Sequence, residues 1–305
     1  MIISYQFVKF REASFVEFHR QLAQQNTITC FDFEDSVVDF RQDNTNKYKI
    51  DYREKVVKLL RKYRNKTLKS FIGFNIHKYG TEQYAEDIDA LNKIEDIKCN
   101  CIFLSKCNSS EVLNGFLNET NNLRYDEVIP VIETHEAFVN LEEIAKIKHL
   151  KFKKICFGHN DYNLSCNIFP FIHQEHPMYW SWIERISEVC KRENVGFVNS
   201  SYRNLYHNNR FKNVLINVNQ YFNDYGQITL NTQQSELCFK YSGKKELEYD
   251  RYDLNIYKNA KEYAEQIIHL FEKYNPEGKG YTIMPDTKVF ICPQEYIAAK
   301  KIIYG

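Results

Sequence analysis

The chain has 305 residues, with 41 basic against 40 acidic and 43% hydrophobic. Balanced charge removes the electrostatic basis for a nucleic-acid partner or a polyanionic membrane surface. With no run of about 18 apolar residues, a helical membrane span is not expected, and the start Met1-Ile2-Ile3-Ser4-Tyr5-Gln6-Phe7 reads as a strand rather than a signal peptide.

Along the chain, short β-branched or aromatic runs alternate with segments of helical period. Strands are expected at 3–8, 27–33, 70–75, 100–104, 128–132, 154–158, 195–199 and 227–230. Between them, 51–64 places Tyr52, Val56, Leu59, Leu60 and Tyr63 on one face, and 81–96 does the same with Tyr84, Ile88, Leu91 and Ile94. Segments 180–190 and 211–221 read as later helices. Alternation implies parallel pairing, because each crossover returns the chain to the same end of the sheet. Eight units favour a (β/α)₈ TIM barrel over an open sheet. No G-x-G-x-x-G follows the first strand, so a dinucleotide site is not expected.

The remainder differs. Residues 235–250 read as irregular and partly strand-like, and 255–271 as a helix with Asp253 near its start and Ile256, Ala260, Tyr263, Ile267 and Leu270 on one face. Asn275-Pro276-Glu277-Gly278 breaks the chain, and 293–303 forms a last helix. We therefore expect a barrel over residues 1–235 and a helical C-terminal extension over 236–305, packed on the barrel or on a neighbouring subunit.

Nine cysteines, odd in number and without framework spacing, are expected as free thiols in a reducing, cytoplasmic compartment. Cys99, Cys101 and Cys107 lack a second pair at zinc spacing and are read as structural. Asn65-Lys66-Thr67 matches a glycosylation acceptor, which has no meaning in that compartment.

In a barrel the C-terminal strand ends converge on one mouth. Here the second strand ends Phe31-Asp32-Phe33-Glu34-Asp35, the fifth Ile132-Glu133-Thr134-His135 and the sixth Gly158-His159-Asn160-Asp161. Lys106 follows the fourth strand, and Asn75 and His77 close the third. Converging carboxylates repel unless a proton or cation relieves them. Mg²⁺ suits one or two carboxylates plus water and substrate oxygens. The plainer alternative is that Glu133 and Asp161 cap helices or pair with lysine.

These segments resemble the citrate lyase β-subunit/HpcH–HpaI aldolase family. Phe31-Asp32-Phe33-Glu34-Asp35-Ser36-Val37 is similar to its aspartate-leucine-glutamate-aspartate motif, and Leu104-Ser105-Lys106 to its leucine-proline-lysine. Ile132-Glu133-Thr134 with Asn140-Leu141-Glu142-Glu143-Ile144, and Phe157-Gly158-His159-Asn160-Asp161-Tyr162, resemble its fifth and sixth units. The resemblance implies Mg²⁺, or Mn²⁺ in its place, held at Glu133 and Asp161, and chemistry that makes or breaks a carbon–carbon bond beside a carbonyl. The substrate would be a small carboxylate, a 2-oxo acid or a thioester reacting through an enolate. Lys106 would hold a carboxylate, with Asp32 and Glu34 ordering it or metal-bound water. His135 or His159 would move a proton, each with the alternative of a structural role. Asn75, His77 and Asn160 would contact substrate. The resemblance also implies a homo-oligomer, a trimer or hexamer.

Three departures qualify this. Gly73 stands where the family carries a substrate-gripping arginine. Ile291 stands where members acting on coenzyme A thioesters carry a catalytic aspartate, which removes the support for coenzyme A here. The eighth strand ends Leu230-Asn231-Thr232-Gln233-Gln234 instead of in histidine-proline. Two readings stay open: a lyase or aldolase diverged in substrate, and a catalytically lapsed barrel serving as a ligand-binding or structural subunit.

Overall fold

A computed structural model describes residues 2–8, 15–40, 45–64, 71–241 and 258–305. Strands β1 (Ile2–Val8), β2 (Thr27–Asp32), β3 (Ile72–Ile76), β4 (Cys99–Leu104), β5 (Tyr125–Ile132), β6 (Lys154–Phe157), β7 (Gly196–Asn199) and β8 (Tyr225–Thr229) pair in parallel, in chain order. The register Ile2↔Tyr225 through Gln6↔Thr229 joins β8 to β1 and closes the barrel. Helices α1 (Phe15–Gln24), α2 (Thr45–Tyr63), α3 (Glu82–Asn92), α4 (Ser110–Glu119), α5 (His135–Val139), α6 (Leu141–Ala145), α7 (His159–Ser165), α8 (Pro177–Glu193), α9 (Asn208–Tyr221) and α10 (Thr232–Phe239) follow the strands. All eight expected strands are present. The third begins at Ile72 beyond Phe71, whose φ is 67°; Ser70 lies outside the described residues, as does Asn65-Lys66-Thr67.

Side-chain alternation along the strands divides the core into two layers. Tyr5, Cys30, Cys101, Phe103, Ile129, Val131, Cys156 and Val198 fill the barrel interior. Phe31, Phe74, Ile102, Leu104 and Phe157 face outward to the buried stripes of the helices, including Val56 and Leu60 of α2 and Leu113 and Phe116 of α4. Each such side chain is worth about 1.5–3 kcal/mol on full burial. At the N-terminal end, Lys154 Nζ bonds both Glu127 oxygens at 2.8 and 2.9 Å, and Tyr5 Oη bonds Glu127 at 3.1 Å. The cysteines among the described residues are free, and all but Cys166 are buried.

Two expectations are corrected. The segment read as irregular from 235 carries α10, capped by Asn231 Oδ1 accepting from Gln234 N at 2.8 Å. Its buried residues are Gln234, Ser235 and Cys238, so polar side chains face the core and hydropathy does not reveal the period. Residues 242–250 lie outside the described residues. The helix expected from 255 begins at Ala260 as α11 (Ala260–Tyr274), because Asn259 caps it by accepting from Glu262 N at 3.2 Å. Asp253, Asn255 and Ile256 lie outside the described residues.

After α11 come β9 (Thr282–Ile283), β10 (Phe290–Ile291) and α12 (Pro293–Tyr304). Phe271 of α11 stacks on Tyr296 of α12 with ring centroids 4.2 Å apart. The extension is strapped to loops at the C-terminal ends of the strands. Phe40 N bonds Gly278 O and Gly280 N bonds Val38 O, both at 2.7 Å, while Phe290 N bonds Arg203 O at 2.9 Å. Gly278 and Gly280 adopt φ of 64° and 61°, where a side chain would be strained. No helix among the described residues is long and apolar enough to cross a membrane.

Candidate active site at the barrel mouth

Two strand ends present the acids directly. Glu133 follows the last residue of β5, and Thr134 then caps α5 by accepting from Ala137 N at 3.0 Å. Gly158 follows β6, and α7 starts at His159 with Asp161 in its first turn. Both carboxylates line one cavity of ≈ 140 Å³, together with Asp32, Asp35, Asn75, Asn160 and Ser200. The cavity is roofed by the extension, through Tyr281, Ile283, Phe290, Cys292, Pro293 and Gln294.

Lys106 organises the acidic side. Its φ of 50° is a left-handed conformation that costs a non-glycine residue about 1–2 kcal/mol. The turn aims its backbone N–H at Glu133 Oε1, 2.7 Å away. Its ammonium pairs with Glu34 and stands 3.6 Å from Asp161 Oδ1 and 3.9 Å from Asp35 Oδ1. Gly158 leaves the room in which Glu133 lies: a Cβ there would meet Glu133 Oε2 at 2.6 Å and its Cβ at 2.7 Å.

One ammonium does not neutralise this set. Burial pushes Asp161 up to about 7, reinforced by Glu133 and opposed by Lys106. Burial and then Asp161 raise Asp35 well above the carboxylate range, and burial raises Glu133 despite Lys106. Burial also acts against ionised Glu34, but contact with Lys106 outweighs it and holds Glu34 low.

The second-strand motif serves the frame of the site. Asp32 accepts from Glu34 N at 3.0 Å, Ser36 N at 3.1 Å and Asn75 Nδ2 at 2.8 Å. Ser105 donates to Glu34 Oε2 or Asn75 Oδ1, 2.9 and 3.0 Å away. Asn75 and Asn160 reach the cavity; His77 does not line it. His77 is buried between Asp87, at 2.7 Å from Nδ1, and Lys49, at 2.5 Å from Nε2. His135 sits exposed at the start of α5, outside the cavity lining. His159 is buried behind the cavity wall, its Nδ1 2.5 Å from Ser200 Oγ and its Nε2 2.9 Å from His173 Nδ1. Burial, with His173 and Arg203 nearby, holds His159 well below the usual imidazole range.

Asp35, Ser200 and Gln294 also line the cavity without having been singled out as site residues. Asp35 stands inside the quoted second-strand motif and was legible there. Ser200 and Gln294 carry no local signal: Gln294 reaches Asp161 Oδ2, at 2.8 Å, across 133 positions of chain.

The departures have structural reasons. A Cβ at Gly73 would meet Cys101 Sγ at 2.6 Å and Cys30 Sγ at 2.9 Å, so interior thiols occupy the space an arginine would cross. Ile291 is fully buried in the cluster of Ile267, Phe271 and Tyr296, and anchors the extension. Arg203 is engaged, with Glu295 at 3.3 Å and His173 at 2.8 Å.

A hard divalent ion fits the donor set, which is carboxylate oxygen in excess of ammonium. Among the described residues no three His, Cys, Asp or Glu side chains converge as a metal cluster. An ion held by two carboxylates and completed by water and substrate needs no third.

No family model matches the sequence, and a search of curated proteins finds no relative. Solved structures do match. Haloferax volcanii malate synthase, in a ternary complex with pyruvate and acetyl-CoA, aligns at TM-score 0.71 and 12% identity over 99% of this chain and 90% of that one. The Mycobacterium tuberculosis protein CitE with magnesium, acetoacetate and coenzyme A aligns at 0.60 and 12%, over 99% and 97%. The citrate lyase β subunit of M. tuberculosis with oxaloacetate and magnesium aligns at 0.59 and 13%, over 78% and 96%. The chain shares the (β/α)₈ barrel fold of these proteins. At such identities the likeness is one of fold, so chemistry must be argued from the side chains.

Proposed function

We propose that the protein is a Mg²⁺-dependent carbon–carbon lyase or aldolase acting on a small 2-oxo acid, diverged in substrate. The observation that carries this reading is that Glu133 and Asp161, from adjacent strand ends, line one cavity with Asp32 and Asp35, more carboxyl groups than the Lys106 ammonium can pair. Glu133 and Asp161 would hold the ion, Mg²⁺ or Mn²⁺. When bound, it supplies Lewis-acid polarisation of a carbonyl and charge for an enolate oxygen. Asn75 and Asn160 offer amide groups to the substrate from the cavity wall. Lys106, oriented by Glu34, keeps a positive charge beside Asp161 for a substrate carboxylate. The roof formed by Tyr281, Phe290 and Pro293 excludes water from the reacting carbon. Likeness in fold to proteins solved with oxaloacetate, pyruvate and magnesium supports the substrate class. Coenzyme A thioesters are left out of the reading, because Ile291 is buried and supplies no acid.

A second reading, a barrel without catalysis that binds a ligand or serves as a structural subunit, is favoured by one observation. Gln294 already occupies Asp161 Oδ2, and Lys106 stands on its other oxygen. Thermal unfolding with Mg²⁺ and oxaloacetate or pyruvate, alone and together, separates the two. The enzyme reading expects a midpoint rise with Mg²⁺, a further rise with the acid, and turnover of the acid. Acid binding that ignores Mg²⁺, without turnover, supports the second reading. No response to either sinks the first.

A further inference from the structure

We propose that Ser200 is a directed hydrogen-bond donor for a carboxylate or carbonyl oxygen in the cavity, its orientation set by Arg203 through His173 and His159. The ligand class rests on the function proposed above; the wiring does not.

Ser200 follows the last residue of β7 and lines the cavity that Glu133 and Asp161 line. Behind it runs a buried chain. Ser200 Oγ is 2.5 Å from His159 Nδ1, His159 Nε2 is 2.9 Å from His173 Nδ1, and His173 Nε2 is 2.8 Å from Arg203 Nη1. The direction of every bond follows from its last member. A guanidinium has hydrogens only, and Glu295 Oε1, the other group facing His173 Nε2, is 3.8 Å away, beyond hydrogen-bond reach, so Nε2 presents a lone pair to Arg203. A neutral imidazole then carries its hydrogen on Nδ1, and His173 donates to His159 Nε2. That nitrogen is an acceptor, so the His159 hydrogen lies on Nδ1 and points at Ser200 Oγ. Ser200 accepts it, and its own hydrogen must turn away from His159.

Within the protein that hydrogen has nowhere evident to go. The Ser200 carbonyl already accepts from Gln227 Nε2 at 2.7 Å and Gln174 Nε2 at 3.3 Å. No hydrogen bond among the described residues has Ser200 Oγ as donor to another acceptor. The open side is the cavity. Each donor in the chain polarises the next, beginning from a full positive charge, so the hydroxyl hydrogen is a better donor than that of an isolated serine. The polarity also distinguishes the arrangement from a nucleophilic serine, whose histidine must accept the hydroxyl proton. Here His159 is the donor.

The first member of the chain is held by the extension. Arg203 Nη1 is held by Glu295 Oε1 at 3.3 Å, and the same oxygen accepts from Tyr263 Oη at 2.8 Å. Residues of α11 and α12 therefore fix the direction of a group inside the barrel. A cavity with a cation-seeking side at β5 and β6 and a donor at β7 suits a ligand with several oxygens, as a 2-oxo acid has.

Nitrogen-15 NMR of the histidine-labelled protein reads the tautomers directly. Both His159 and His173 should carry hydrogen on Nδ1; hydrogen on Nε2 of either one overturns the wiring. Calorimetric titration with oxaloacetate and Mg²⁺ reads the donor. Ser200→Ala should weaken oxaloacetate binding about five- to twentyfold, the effect of one lost hydrogen bond, and Ser200→Thr should restore part of it. Equal affinity of Ser200→Ala and the unaltered protein overturns the donor role. If the unaltered protein binds neither oxaloacetate nor pyruvate, the proposed function fails and this ligand class fails with it, while the tautomers still decide the wiring.

Discussion

Gln294 of α12 donates to Asp161 Oδ2 at 2.8 Å, so the segment roofing the cavity is tied to one of the two carboxylates proposed to hold the ion. The contact explains why the mouth is both covered and polar.

Gln294→Leu keeps the volume and removes the donor. A buried acceptor left without its partner costs about 1–3 kcal/mol. The denaturant midpoint should fall accordingly, and proteolysis within residues 275–292 should quicken. An unchanged midpoint and unchanged cleavage would show that the bond does not hold the roof.

Gly158→Ala tests the placement of Glu133. The new methyl would stand 2.7 Å from Glu133 Cβ, which cannot swing aside as the end of a side chain can. Overpacking of this kind costs about 1–3 kcal/mol. The variant should stay folded and lose most of its stabilisation by Mg²⁺. A full Mg²⁺ response would mean that Glu133 does not need the position it occupies.

Gly73→Ala should destabilise by a similar amount, because its methyl meets two thiols. Adding Cys101→Ala removes the nearer sulfur and should recover part of the loss in a double-mutant cycle. Strict additivity would refute interior crowding as the reason for glycine at this position.

Much of this architecture was legible because each strand is a short apolar run with its acid placed immediately behind it. Ile132-Glu133-Thr134 illustrates the point, with strand end, site residue and helix cap in consecutive positions. Helix α10 was not legible, since Gln234 and Ser235 face inward and break the amphipathic pattern. Nor were Gln294 and Ser200, whose roles come from contacts across the fold. His135 shows the converse. It adjoins the site in sequence, but the helix that starts there turns it to solvent.

The pH dependence of stability follows from opposed shifts. Asp161, raised from 3.8 to about 7, binds a proton more tightly in the folded state. Its contribution is complete below the unfolded value and is lost as pH rises through about 7. Glu295, held down from 4.5 to about 2 against the effect of burial by the Arg203 guanidinium and the Tyr263 hydroxyl at its Oε1, contributes above its unfolded value and loses that contribution as pH falls through about 2. Metal-free protein should therefore lose stability from Asp161 between about pH 4 and 7. A cation must displace the Asp161 proton, so the rise in unfolding midpoint caused by Mg²⁺ should be larger at pH 8 than at pH 6. A Mg²⁺ effect equal at both would contradict the raised Asp161.

The central claim is that Glu133 and Asp161 together hold one divalent ion. Calorimetric titration of Mg²⁺ at pH 8 into the unaltered protein, Glu133→Gln and Asp161→Asn measures it most directly. The account predicts saturable one-site binding, weakened at least tenfold in either variant while both stay folded. No saturable heat in the unaltered protein, or equal affinity in all three, would contradict it.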